Sequence, residues 1–86
     1  MTAAIVGATR QEWELAMRLS TRNQFAGTIT EVTIGSVMAT VKVRLDGGDQ
    51  IVTASITKDA VEELGLQAGV AATVLVKSTE VMLGVE

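Results

Sequence analysis

Five hydrogen-bonding side chains follow one another at Ser20, Thr21, Arg22, Asn23 and Gln24, in a stretch otherwise flanked by apolar residues. A guanidinium is a planar fork of donors with no acceptor, and hydroxyls beside it suit a tetrahedral oxyanion. Lys77, Ser78 and Thr79 repeat this chemistry at the far end of an apolar run, VAATVLV. If the two clusters meet, within one chain or between two, they form a pocket of donors with two positive charges. A row of small polar residues equally suits a strand end or a surface turn, where such side chains bond to nearby backbone. On residue type alone both readings stand.

Other chemistries are poorly served. The chain has no cysteine and no histidine. That removes thiolate nucleophiles, disulfides, the commonest general base and the commonest transition-metal ligand. Carboxylates come in pairs at Asp46/Asp49, Glu62/Glu63 and Glu12/Glu14, but on a turn and on helix faces, where solvated surface is the expected role. Acid–base catalysis instead needs two carboxyl groups converging on a cleft with separated pKa values. Asp46-Gly47-Gly48-Asp49 offers too few oxygens for calcium. No glycine-rich phosphate motif is present. The chain reads as a non-enzyme with no redox cofactor and no directly bound metal cation.

Charge and size narrow the partners. Seven Lys plus Arg against ten Asp plus Glu leave a net charge of −3, the wrong sign for broad nucleic-acid or anionic-membrane binding. Base stacking is also excluded, since Trp13 and Phe25 are the only aromatic residues. No apolar run reaches spanning length and no basic region precedes the short apolar start, which points to the cytoplasm. With 48% hydrophobic residues in 86, the chain carries more apolar surface than so small a unit can bury alone. A homo-oligomer is expected.

The elements that must position the two clusters are mostly strands. Thr9 to Glu12 form a capping box, predicting a short helix over about 9–16 in an N-terminal extension, 1–16. GTITEVTIG is β-rich, but Ile29, Val32 and Ile34 break period two, which predicts a bulge or bend. VMATVKVRL, 37–45, alternates with Val37, Ala39, Val41, Val43 and Leu45 on one face, and DGGD then supplies a hairpin turn. QIVTASI returns. Thr57 caps a helix with Ala60, Val61 and Leu64 as its apolar stripe and Gly65 as its stop. VAATVLVK and a last short strand, 81–85, complete the set. Five curved strands with one helix predict an all-β, OB-like five-stranded Greek-key barrel, with a two-sheet sandwich as the alternative.

Three segments carry a family resemblance: LSTRNQFAG at 19–27, LDGGDQIVTASITKDAVEELGL at 45–66, and VLVKSTEVMLGV at 74–85. Over residues 17–86 the chain resembles the Mop or molbindin family of cytoplasmic molybdate-binding domains. The same module recurs in molybdate-responsive regulators and in the ATPase subunits of molybdate importers. The resemblance implies an OB-like barrel whose dimers associate into a hexamer, a trimer of dimers, holding molybdate or tungstate at subunit interfaces. It implies that Ser20 and Arg22 of one chain, with Thr21 and Asn23 beside them, face Lys77 and Ser78 of another. The backbone at Gly35 and Ser36 is implied as a second class of site near a symmetry axis. Thr21 and Met38 depart from the family's usual Ala and Asn, and residues 1–16 lie outside its pattern. Two functions follow as expectations: an intracellular molybdate buffer, or an oligomerisation module with no physiological oxyanion.

Overall fold

The computed structural model describes residues 20–86; the helix expected over 9–16 lies outside them. Strands β1 (Asn23–Ile34), β2 (Met38–Leu45), β3 (Ile51–Thr57) and β4 (Ala71–Val76) form one antiparallel sheet, ordered β3-β2-β1-β4. Helix α1 (Lys58–Leu64) connects β3 to β4. Strand β1 is shared between two ladders. It pairs with β2 from Gly27 to Ile34 and with β4 from Asn23 to Thr28.

The broken period in β1 is a bulge. Its register against β2 shifts between Ile29 and Glu31, leaving Thr30 as the extra residue. The shift keeps Ile29 and Val32 on the core side although three positions separate them. On its other side the Ile29 backbone continues the ladder to β4. Ile29 N–H donates to the Val70 carbonyl at 2.9 Å, and Gly69 N–H donates to the Ile29 carbonyl at 2.8 Å. Gly69 holds φ at 95°, a conformation that glycine adopts without strain.

Gly27 stands where β1 is paired on both sides, opposite Leu45 and Ala72. A Cβ there would fall 2.6 Å from the Arg44 carbonyl oxygen and 2.7 Å from Val43 Cγ1, so no larger residue fits without moving backbone. The DGGD turn forms as expected, with Leu45 N–H bonded to the Gln50 carbonyl at 2.8 Å and Asp46 N–H to the Ala26 carbonyl at 2.9 Å.

Among the described residues the core is small: Ile29, Ala39, Val41, Val43 and Val61 are buried, with Val32, Ile56, Leu66, Val70, Ala72 and Val74 packed around them. The helix begins and ends as its sequence dictates. Thr57 Oγ1 accepts from the Ala60 N–H at 3.1 Å, and Gly65 closes the helix at φ 66°. Thr57→Ala is expected to lower stability by about 1 kcal/mol, read as an earlier urea midpoint at unchanged slope.

Three expectations are corrected. Val37 is 68% exposed, because it sits in the β1–β2 turn rather than on the inner face of β2. Leu64 is 69% exposed. In a seven-residue helix only Val61 reaches the core, and the stripe ends before Leu64. Four strands, not five, form the sheet among the described residues. A 3₁₀ turn at Ser78–Glu80 carries the chain off the end of β4, and residues 81–86 form no strand within this chain. Every residue of that tail is exposed.

Candidate oxyanion site

The two donor clusters reach the same end of the sheet. Asn23 and Val76 are the last pair of the β1–β4 ladder, so Arg22 and Lys77 each stand one residue beyond it. Thr21 and Ser78 follow on the two sides. Ser20, Arg22, Lys77 and Ser78 are exposed, while Thr21 and Asn23 are half-buried. The antiparallel register makes this juxtaposition, although more than fifty residues separate the clusters in sequence.

Two amide side chains tie the clusters down. Asn23 Nδ2 donates to the Val76 carbonyl at 3.1 Å, joining the two strands at their ends. Gln24 Nε2 donates to the Thr21 carbonyl at 2.6 Å, closing the backbone around Arg22. Among the described residues, neither the Arg22 guanidinium nor the Lys77 ammonium has an ion-pair or hydrogen-bond partner. The sequence reading placed Asn23 among the anion donors and did not anticipate either tie. A side-chain bond across so long a separation is visible only once register is known.

Both clusters bring a cation to this end of the sheet. Residues 23–30 of β1 and all of β4 carry no carboxylate, and Arg22 and Lys77 lie just beyond their ends. Two acids lie near these strands: Glu80, whose N–H bonds to the Lys77 carbonyl at 2.9 Å, and Asp46, whose N–H bonds to the Ala26 carbonyl at 2.9 Å. An end rich in N–H and O–H donors, with two cations that no acid pairs with among the described residues, can hold a small dianion by charge-assisted hydrogen bonds. No group of three or more acidic residues among the described ones is arranged to bind a metal cation.

Gly35 and Ser36 lie at the opposite end of β1, in the exposed turn to β2. Gly35 N–H is taken by the Met38 carbonyl at 2.8 Å, and the Val37 carbonyl accepts from Lys58 N–H at 2.8 Å. The chain therefore does not bring this turn to the Arg22–Lys77 end. No described helix is long and apolar enough to cross a membrane.

Comparison with known proteins gives the same reading of the chain's ancestry. Residues 19–83 match the TOBE domain model. A probable molybdenum-pterin-binding protein of Haemophilus influenzae is 39% identical over 70 residues, which are 81% of this chain and the whole of that protein. The molybdenum-pterin-binding protein MopA of Rhodobacter capsulatus is 44% identical over 71 residues, 83% of this chain but only 26% of MopA. Among solved structures, the cytoplasmic molybdate-binding protein ModG with molybdate bound superposes with a TM-score of 0.77 at 41% identity, covering 85% of this chain and 51% of that one. A curled four-stranded sheet with one short helix, matched along most of its length by such relatives, leaves one assignment: the chain belongs to the TOBE domain family, in its molybdenum-pterin-binding (Mop) branch.

Proposed function

We propose that this protein binds molybdate, and tungstate with it, reversibly at the Arg22–Lys77 end of the sheet, as a cytoplasmic buffer with no chemical or redox step. The observation that carries the reading is the juxtaposition of two donor clusters, with two cations that have no ion-pair partner among the described residues, at one sheet end. Ser20, Thr21, Arg22, Lys77 and Ser78 supply the donors. Molybdate is a dianion at neutral pH, so donors without neighbouring acceptors suit it. Sulfate has the same charge and shape in a smaller volume, and cavity size would separate them. The names of the related proteins support the same ligand.

The pocket is shared between chains of a homo-oligomer, a hexamer built as a trimer of dimers. Support comes from the tail that leaves the site: Met82, Leu83 and Val85 are 91%, 93% and 98% exposed and follow directly on the Ser78–Glu80 turn. Apolar side chains so exposed favour burial against another surface. A second copy covering them comes within a few residues of Lys77 and Ser78. The Gly35–Ser36 turn is proposed as a second, backbone-lined site in the assembly.

Isothermal titration with sodium molybdate tests the reading, on the full chain and on a chain lacking residues 1–16. Both are expected to bind, since the donors lie in 17–86 and the extension adds none of them. No heat and no thermal shift at millimolar molybdate would defeat it. Retained oligomers without binding would favour a plain oligomerisation module.

A further inference from the structure

The geometry points to Asn23 and Gln24 as positioning residues that aim the backbone N–H groups of Lys77 and Arg22 at the oxyanion; this rests on the binding reading above and assigns donors within that site. The two ties share one feature. Each amide donates to the carbonyl of the peptide bond that enters a cationic residue: Gln24 to Thr21 ahead of Arg22, and Asn23 to Val76 ahead of Lys77. Only the NH₂ of such a side chain can bond a carbonyl oxygen. No described peptide bond is cis. In a planar trans peptide the C=O and the following N–H point in opposite directions. Gripping the carbonyl therefore turns the Arg22 and Lys77 N–H groups away from the amide that holds it.

For Lys77 the direction is set by the sheet. Asn23 lies on β1, so the Val76 carbonyl faces β1 and the Lys77 N–H faces away from it. β4 is an edge strand, and that N–H opens off the edge, where another chain can approach. An oxyanion held there meets the Lys77 backbone and side chain together, and an arginine supplied by a second copy can complete the pocket. Gln24 does the same for Arg22: it fixes the peptide whose N–H joins the guanidinium as a donor. The amide side chains thus serve the site through the backbone and leave the hydroxyls and cations to touch the ligand.

Amide NMR of the full chain, titrated with sodium molybdate, tests the assignment. In the unsubstituted protein the Arg22 and Lys77 amide protons are expected to move downfield at saturation. Gln24→Met, which keeps length but removes the donor, is expected to weaken binding roughly tenfold, the loss of one hydrogen bond to an anion. In that variant, saturated with ligand, the Arg22 shift disappears while the Lys77 shift remains. Asn23→Leu is expected to do the reverse. A structural role alone would not move one amide and spare the other. If molybdate binds while neither amide responds in the unsubstituted protein, the assignment is overturned and the binding reading stands. If molybdate does not bind at all, both fall. The unsubstituted titration decides the matter even where a variant fails to fold.

Discussion

Arg22→Ala and Lys77→Ala are each expected to weaken molybdate binding by at least tenfold, and mixing the two variants is expected to restore part of the capacity. Each substitution removes charge-assisted hydrogen bonds of about 1.5–3 kcal/mol apiece, and 1.4 kcal/mol is a factor of ten. The mixture tests how the pocket is built. In a shared pocket, Arg22 comes from one chain and Lys77 from another. A mixed oligomer then contains some pockets with both residues, the arginine given by the Lys77→Ala chain and the lysine by the Arg22→Ala chain. Were both residues drawn from a single chain, every pocket in the mixture would lack one of them. Titration of co-refolded, verified mixed oligomers separates the two. The single chain places Arg22 and Lys77 at one sheet end, so the within-chain pocket is a concrete rival, and absence of recovery would establish it.

The largest expected effect on stability is at Ile29, 1% exposed and central to the core. Ile29→Ala is expected to cost about 2–5 kcal/mol and Ile29→Val about 0.5–1.5 kcal/mol. Few buried side chains share the load in so small a core, so truncating one leaves a cavity with little to collapse into it. Chemical denaturation at fixed protein concentration reads both values. A cost for Ile29→Ala below that of Ile29→Val would show that the core repacks freely and would contradict the close packing described. The backbone bonds from Ile29 to Gly69 and Val70 involve no side-chain atom, so the variant isolates packing from the bulge.

Much of this architecture was legible in the residues, and the exceptions have physical causes. Thr57 and Gly65 mark the two ends of α1 because a cap needs a hydroxyl and a left-handed stop needs glycine. The bulge was visible at Ile29, Val32 and Ile34 because a two-residue alternation cannot carry a three-residue step. Val37 and Leu64 misled, since apolar identity does not say where an element ends. The tail 81–85 reads as a strand from its composition, but a strand exists only with a partner to pair with. At the site, the two donor clusters were readable as chemistry. That Asn23 and Gln24 hold backbone carbonyls was not, because those bonds depend on the β1–β4 register.

The double pairing of β1 also dictates an order of assembly. Its contacts with β2 begin at Ile34 and Ala39, five positions apart, and β2 meets β3 across the short DGGD turn. The bond from Asn23 to Val76 spans 53 positions. Closing a longer loop costs more chain entropy, so near pairings form ahead of distant ones. The β1-β2-β3 meander therefore zips first and presents a finished β1 as the template on which β4 docks last. Arg22 is in place before Lys77 arrives. Opening runs the other way: β4 can peel from β1 while the meander stays intact, which makes the β4 edge, with the Arg22–Lys77 end, the part of the sheet expected to be least protected against local unfolding. On the proposed shared pocket, a dianion held by Lys77 would tie β4 to a second copy rather than to its own β1.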